Sequence, residues 1–381
     1  MKIVIAPDSF KGSLTSVEAS RIINRAIKDF DPLIETAQIP MADGGEGTAE
    51  AVLWNKSGEM ISCPVLDPLG REIKAGYGWI EKEKTAVIET AAASGLPLLT
   101  QDELDPEKAT SYGTGQLIKD ALDRGAETII IGLGGSATID AGTGLFEALG
   151  VKFFDEDQNE MNLIGGKLQQ ISAIDISGLN PKLADVEIIT ASDVTNPLLG
   201  ENGAIAIFGP QKGVEQEELT RFERGMQHFS ELAEASLGRN MAGEPGSGAA
   251  GGIGFLLRML LPVKFRSGLQ MIAEVSEMDR NLAGTDLVLT GEGKIDGQSL
   301  YEKVPVGIGR LAKEKNIPVI AFAGSIGPGA ENLEAEGIHA VMPIVDGPLN
   351  LEEAMLNSEK LLYDATLRLM RILYIGKKLT E

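Results

Sequence analysis

Short β-branched runs alternate with helix-length amphipathic stretches along most of the chain, which predicts an α/β architecture on parallel strands. Lys2-Ile-Val-Ile-Ala6 reads as the first strand, and the polar loop Pro7 to Ser13 follows it. Thr15 and Glu18 have capping-box spacing, so a helix is expected from Ser16 to about Asp29. Gln38-Ile-Pro40 ends a second short strand, and Gly47-Thr48 opens another helix. Thr114 to Asp123 reads as a helix stopped by Gly125. Further strands are predicted at Glu127 to Ile131, Val186 to Thr190, Ala204 to Phe208, Asp286 to Thr290, Pro318 to Ala323 and His339 to Ile344. A closing helix is expected over residues 351–377.

The pattern changes between Val65 and Glu89. Asp67-Pro-Leu-Gly70 is a turn signal, and the runs at 73–80 and 85–89 read as a hairpin. With 381 residues, two domains are expected. No low-complexity linker marks their limits, so texture sets them: residues 1–63 and 284–381 as one discontinuous domain, and 64–283 inserted.

Glycine concentrates in polar loops beside carboxylates and lysines. These are Pro40 to Thr48, Gly132 to Gly144, Gly246 to Gly254 and Gly291 to Asp296. Glycine admits positive φ and close backbone approach, so successive N–H groups can converge on an anion. Each loop is read as leading into a helix, whose N-terminus also favours phosphate or carboxylate. Gly132-Leu-Gly-Gly-Ser-Ala137 has G-x-G-x-x-A spacing after a strand, with Asp155 at the distance of a ribose-binding acid. Dinucleotide binding, a phosphate loop and close backbone packing all remain open for it. Gly246 to Gly251 has similar spacing but follows Glu244-Pro245 rather than a strand, which leaves anion binding or helix packing. No Walker A sequence occurs.

Charge narrows the partners. There are 34 basic and 56 acidic residues, a formal −22. That field repels nucleic acid and anionic membranes, so neither is expected as a partner, and 5% aromatic content argues against base stacking. An anionic substrate would need local positive potential, for which Lys11, Lys212, Lys294 and Lys303 lie in or beside the loops. Cys63 is the single cysteine, which excludes an intrachain disulfide. His228 and His339 are read as structural, so histidine triads and zinc sites are not expected. The first residues lack a signal-peptide pattern, and a cytosolic location is expected. Asp43, Glu46, Asp193, Glu292 and Asp296 sit in turns or glycine loops, and Asp8 follows the first strand. Such carboxylates suit Mg²⁺, a general base, or simple turn chemistry.

Together these segments resemble the bacterial glycerate kinase family, the glycerate 2-kinases without a P-loop. The resemblance rests on Ala6-Pro-Asp-Ser-Phe-Lys-Gly-Ser-Leu-Thr15, Ala42-Asp-Gly-Gly-Glu-Gly-Thr48 and Gly134-Gly-Ser-Ala-Thr-Ile-Asp-Ala-Gly-Thr-Gly144. Ser192-Asp-Val-Thr-Asn-Pro197, Phe208-Gly-Pro-Gln-Lys-Gly213, Pro245-Gly-Ser-Gly-Ala-Ala-Gly-Gly252 and Thr290-Gly-Glu-Gly-Lys-Ile-Asp296 continue it. Seven motifs in order span nearly the whole chain. One departure is Glu302 before Lys303, where the family usually has glycine.

The resemblance implies ATP-dependent phosphorylation of D-glycerate, with the 2-hydroxyl as acceptor and 3-phosphoglycerate as the alternative product. It also implies a Rossmann-like parallel-sheet domain built from both chain ends, an inserted α/β domain, and an active site in the cleft between them. On this reading Mg²⁺ is held by Asp8, Glu292 and Asp296, and the catalytic residues are Asp193, Asp43, Lys11 and Lys294. Asp193 is the first choice for the base, with Asp43 second. Ser9, Gly44, Gly45, Gly134, Gly135, Ser136, Lys212, Gly246, Ser247, Gly248 and Gly251 bind substrate or phosphate. Domain closure would exclude water, and the reading admits a homo-oligomer. Two rivals stand beside it. One is an NAD-dependent oxidoreductase resting on the Gly132 fingerprint, and the other is a non-catalytic sensor of a small anion.

Overall fold

The computed structural model describes residues 1–297 and 303–380, with backbone alone at 331, 332 and 380. Glu302, the departure from the family pattern, lies outside the described residues. In chain order the strands are β1 (Lys2–Ile5), β2 (Glu35–Gln38), β3 (Glu59–Leu66), β4 (Glu72–Ile80), β5 (Thr85–Glu89), β6 (Thr128–Gly132) and β7 (Lys152–Phe154). They continue with β8 (Glu160–Met161), β9 (Ala173–Asp175), β10 (Glu187–Ala191), β11 (Lys264–Arg266), β12 (Leu287–Ile295), β13 (Val319–Ile326) and β14 (Ala340–Pro343). The contacts divide the chain into two compact units, residues 1–43, 50–56 and 269–381, and residues 44–49 and 57–268.

The first unit carries a five-stranded sheet in the order β14-β13-β12-β1-β2. Every pairing in it is parallel, so both chain ends build one sheet, as the fold class expected. Helices on a parallel sheet bury its strands on both faces, which is why Ile3, Val4 and Ile5 are all fully buried rather than alternating. The helix Ser16–Phe30 forms for the reason its sequence states. Glu18 N–H donates to Thr15 Oγ1 at 3.2 Å, and Thr15 N–H donates back to Glu18 Oε2 at 2.9 Å. Ala19, Ile22, Ile23 and Ile27 lie at helical spacing on its buried face, in one cluster with Ile3, Ile5, Leu361, Leu362 and Leu369. Each fully buried isoleucine of this kind contributes about 1.5–3 kcal/mol.

The second unit has a six-stranded sheet, β11-β10-β6-β5-β4-β3. Its β11, β10, β6 and β5 pair in parallel, and the hairpin strands β4 and β3 close one side antiparallel. A separate antiparallel sheet, β8-β7-β9, stands apart from it. The helix Tyr112–Arg124 stops at Gly125, which takes φ +91° and donates its N–H to the Ala121 and Leu122 carbonyls.

Four expectations are corrected. Ala204–Phe208 is a helix, not a strand. In Ala-Ile-Ala-Ile-Phe the alternation mimics a strand, yet Ile205 is buried and Ile207 is 46% exposed. The glycine segment 291–295 is not a loop leading into a helix, because β12 continues through it to Ile295. Glycine is tolerated there because a Cβ on Gly291 would stand 2.6 Å from the Phe322 carbonyl of β13. The loop after β6 does not open a helix at once, since the helix begins only at Thr143. The closing helix is broken at Asn357 into Leu351–Leu356 and Ser358–Thr380. No helix among the described residues is long and apolar enough to cross a membrane.

Candidate active site

In the first unit the chain leaves β1 toward β2 and leaves β12 toward β13, although β1 and β12 are neighbours. The crevice past their C-terminal ends is therefore a topological switch point, where open α/β sheets bind ligands. Asp8 stands just beyond β1. Its N–H donates to the Gly291 carbonyl at 2.8 Å, and its Oδ1 accepts the Ser9 N–H at 2.7 Å. Met41 N–H donates to the Pro7 carbonyl at 2.9 Å, which brings the segment ending at Asp43 to the same edge.

Glu292, on β12, is 6% exposed and lies 3.4 Å from the Lys303 ammonium. Burial first, then the charges of Asp43 and Glu292, push the Asp8 carboxyl well above the usual carboxylate range. The Ser9 N–H and the Lys303 charge pull it back in part. Lys294 pairs with Asp296 at 2.8 Å, while Lys11 is exposed and Ser9 half-buried. Asp8, Asp43, Glu292 and Lys303 thus form one electrostatic group, with the Lys294–Asp296 pair at the far end of the central strand β12. Among the described residues, no three Asp, Glu, His or Cys side chains make a ready metal cage.

The second unit presents backbone rather than carboxylates. Gly44 has φ +92°, and a Cβ there would run into the Ala191 carbonyl at the end of β10. A Cβ on Gly132 would meet the Gly44 carbonyl at 2.6 Å, and one on Gly134 the Gly45 Cα at 2.5 Å. Gly134 N–H donates to the Gly44 carbonyl at 3.1 Å. Residues 44 and 45 therefore lie directly on the loop that leaves β6.

Gly251, at φ +66°, lies against the Thr138 carbonyl, and its own carbonyl accepts the Ala141 N–H at 3.1 Å. Gly248 N–H donates to the Asn196 carbonyl at 3.0 Å, and Ser247 Oγ donates to the Met241 carbonyl at 2.6 Å. The 246–251 segment is thus engaged by its neighbours, and Gly246 packs on Phe265. Asp193 is half-buried, two residues past β10, where Ser192 N–H donates to the Arg266 carbonyl at 3.0 Å.

Two buried charges brace the loop after β6. Asp140 accepts the Ser111 N–H and hydroxyl, each at 2.7 Å, and the N–H groups of Gly142 and Gly144 at 3.0 and 3.3 Å. Burial raises its carboxyl, and those hydrogen bonds oppose the rise. Lys212 is 2% exposed and donates to Ser136 Oγ at 2.7 Å and the Thr138 carbonyl at 2.8 Å. Burial pushes its ammonium down to about 7, against the charge of Asp140.

Sequence reasoning missed Asp140 as a brace, although Asp followed by Ala-Gly is a local side-chain-to-backbone turn signal. It also passed over Arg266, a half-buried cation ending β11 beside Ser192.

A family model described as the glycerate kinase family matches residues 3–374. The chain belongs to the glycerate kinase family. It is 43% identical to a glycerate kinase of Bacillus subtilis (strain 168) over 354 residues, 93% of each chain. It is 41% identical to a glycerate 2-kinase of Escherichia coli (strain K12) over 378 residues, 99% of each. Its structure is similar to that of a protein assigned as glycerate kinase 2 from Salmonella typhimurium LT2, with a TM-score of 0.83, 40% identity and 99% of both chains covered.

The protein is therefore an enzyme, a phosphotransferase of the glycerate kinase family. The dinucleotide fingerprint loses its support on geometric grounds. Its β7 belongs to the small antiparallel sheet, not beside β6. Asp155 is occupied as a turn residue, accepting the N–H groups of Asp157 and Asn159 at 3.0 and 2.8 Å. Both histidines are engaged by backbone groups. His228 Nε2 pairs with the Ile171 carbonyl, and His339 Nδ1 accepts the Val319 N–H.

Proposed function

We propose that the protein transfers the γ-phosphoryl group of ATP to the 2-hydroxyl of D-glycerate, giving 2-phosphoglycerate and ADP. The observation that carries this reading is the group Asp8, Asp43 and Glu292 at a switch point, where burial and then the charges of Asp43 and Glu292 raise the cost of charging Asp8. Such mutual repulsion is what a divalent cation relieves. Mg²⁺ is suited to one or two carboxylates with phosphate and water completing its shell, so the donor set fits it without a cage. Asp8 and Glu292 would hold the ion, with Asp296 assigned beside them. When bound, the ion neutralises charge on the nucleotide phosphates.

The chain's own groups do the rest. Phosphoryl transfer needs alignment and charge neutralisation more than covalent chemistry. Lys11 and Lys294 offset negative charge near the phosphates. Those amides of the 134–136 loop and of the 246–251 segment that are not already engaged cradle phosphate and carboxylate oxygens. Asp193 orients the acceptor hydroxyl and takes its proton as the new P–O bond forms and the bond to ADP breaks, with Asp43 the second choice. The 2-hydroxyl is favoured by the name of the Escherichia coli relative.

³¹P NMR of the protein with Mg-ATP and D-glycerate tests the reading. A phosphomonoester signal of 2-phosphoglycerate is expected. The 3-phosphoglycerate signal would overturn the choice of hydroxyl, and no product from folded protein would overturn the substrate.

A further inference from the structure

Lys212 is the most deeply buried cation of the second unit, and its hydrogen bonds face inward onto the loop after β6 rather than toward a ligand. Gly135, at φ +76°, is the exposed tip of that loop. Among the described residues, neither the Gly135 N–H nor the Ser136 N–H has an acceptor, because the bridge to the 94–96 segment is made by Leu96 N–H to the Gly135 carbonyl and Ala137 N–H to the Ser94 carbonyl. Two successive free amides next to a left-handed glycine form an anion cradle. The Ser136 hydroxyl stands at its inner edge.

An ammonium can only donate. While Lys212 is protonated, Ser136 Oγ accepts from it, and the serine O–H must point elsewhere. A neutral amine carries a lone pair and can take the serine proton instead, which turns the Ser136 lone pairs outward. One proton on Lys212 thus reverses the polarity of the hydroxyl beside the cradle.

We propose that Lys212 is a positioning residue that acts through Ser136, so that the cradle at residues 135 and 136 binds the carboxylate or phosphate oxygen of its substrate best while Lys212 carries its proton. This deepens the assignment of the 134–136 amides made above, and it removes Lys212 from direct contact with substrate. Burial brings the lysine's titration to about 7, and the charged group acting on it among the described residues is Asp140. Anion binding favours the protonated form, so binding weakens as pH rises through that value.

Steady-state kinetics of the full chain from pH 6 to 9 tests this, with wild type, Lys212→Met, Ser136→Ala, the double variant and Ser136→Thr. For wild type, kcat/KM for one anionic substrate should fall above pH 7 and level off about tenfold lower, while kcat stays level. A limb seen with D-glycerate assigns the carboxylate, and one seen with ATP assigns the phosphate.

Lys212→Met and Ser136→Ala should each flatten that limb and raise KM about tenfold at pH 6, and the double variant should be no worse than either. Ser136→Thr, which keeps the hydroxyl, should restore the limb, and this arm stands even if Lys212→Met does not fold. Multiplying losses in the double variant would overturn the proposal, because Lys212 would then contact substrate itself. A limb that survives in Ser136→Ala would overturn it too. Total phosphorylated glycerate is counted, so an error in the choice of hydroxyl would change the product and leave the limb in place.

Discussion

The two units solve the same problem with opposite materials. At the switch point of the first, side-chain charge is concentrated. Burial and the charges of Asp43 and Glu292 raise the cost of ionising Asp8, and the Ser9 N–H and the Lys303 ammonium oppose that rise. At the β6 and β10 ends of the second, side chains are largely absent, and glycines at 44, 132, 134 and 251 bring backbone against backbone. Two of its charges, Asp140 and Lys212, are buried beneath the loop. The first arrangement suits a cation and its phosphates. The second suits an anion held by amides, and in a chain of net charge −22 it does so without spreading positive charge over the surface.

The contrast breaks most sharply at the one carboxylate assigned chemistry in the backbone-rich unit. Asp193→Asn should lower kcat by about 10²-fold or more, with KM for ATP little changed. Near-normal turnover would hand the base role to Asp43 and make the second unit purely a binding surface. Gly44→Ala comes next. The added methyl meets the Ala191 carbonyl at a positive φ, so a loss of about 1–3 kcal/mol is expected in urea unfolding. An unchanged midpoint would show that the close approach is not needed.

Asp8→Asn sharpens the comparison from the other side. Its folded-state pKa lies above the ordinary 3.8, so the folded form holds that proton more tightly, and stability falls as pH rises from about 4 through the raised value. Removing the charge should raise Tm by a few degrees at pH 7 without Mg²⁺, and change it little near pH 4. Mg²⁺ should raise the Tm of wild type more than that of Asp8→Asn. An equal gain in both would take Asp8 out of the ion's shell.

Much of this was legible before the fold was seen, and the limits are physical. Thr15 with Glu18, and Gly125 after Arg124, are local signals that need no tertiary context, and both elements form as read. Gly291 to Ile295 misleads because glycine and charge together look like a loop. In a strand that lies close to its neighbour, the same residues are there for lack of a side chain. Ala204–Phe208 misleads because five apolar residues have no period long enough to separate strand from helix. The motif positions were readable, but the inward turn of Lys212 was not. A lysine beside glycines reads as a ligand-facing cation, and only packing shows that its nitrogen ends on Ser136 and Thr138.

The glycine contacts of the second unit also bear on the order in which the chain assembles. Residues 44, 132 and 191 meet at one point, and Gly251 packs on Thr138 farther along the same loop, yet each arrives from a different stretch of the sequence. Contacts so distant along the chain carry a high loop-closure cost, which only the finished sheet can offset. The loop after β6 is thus a late-folding keystone. It cannot be transplanted as a peptide, and a nascent chain released before residue 191 would have β6 and its loop but not the β10 end on which Gly44 packs.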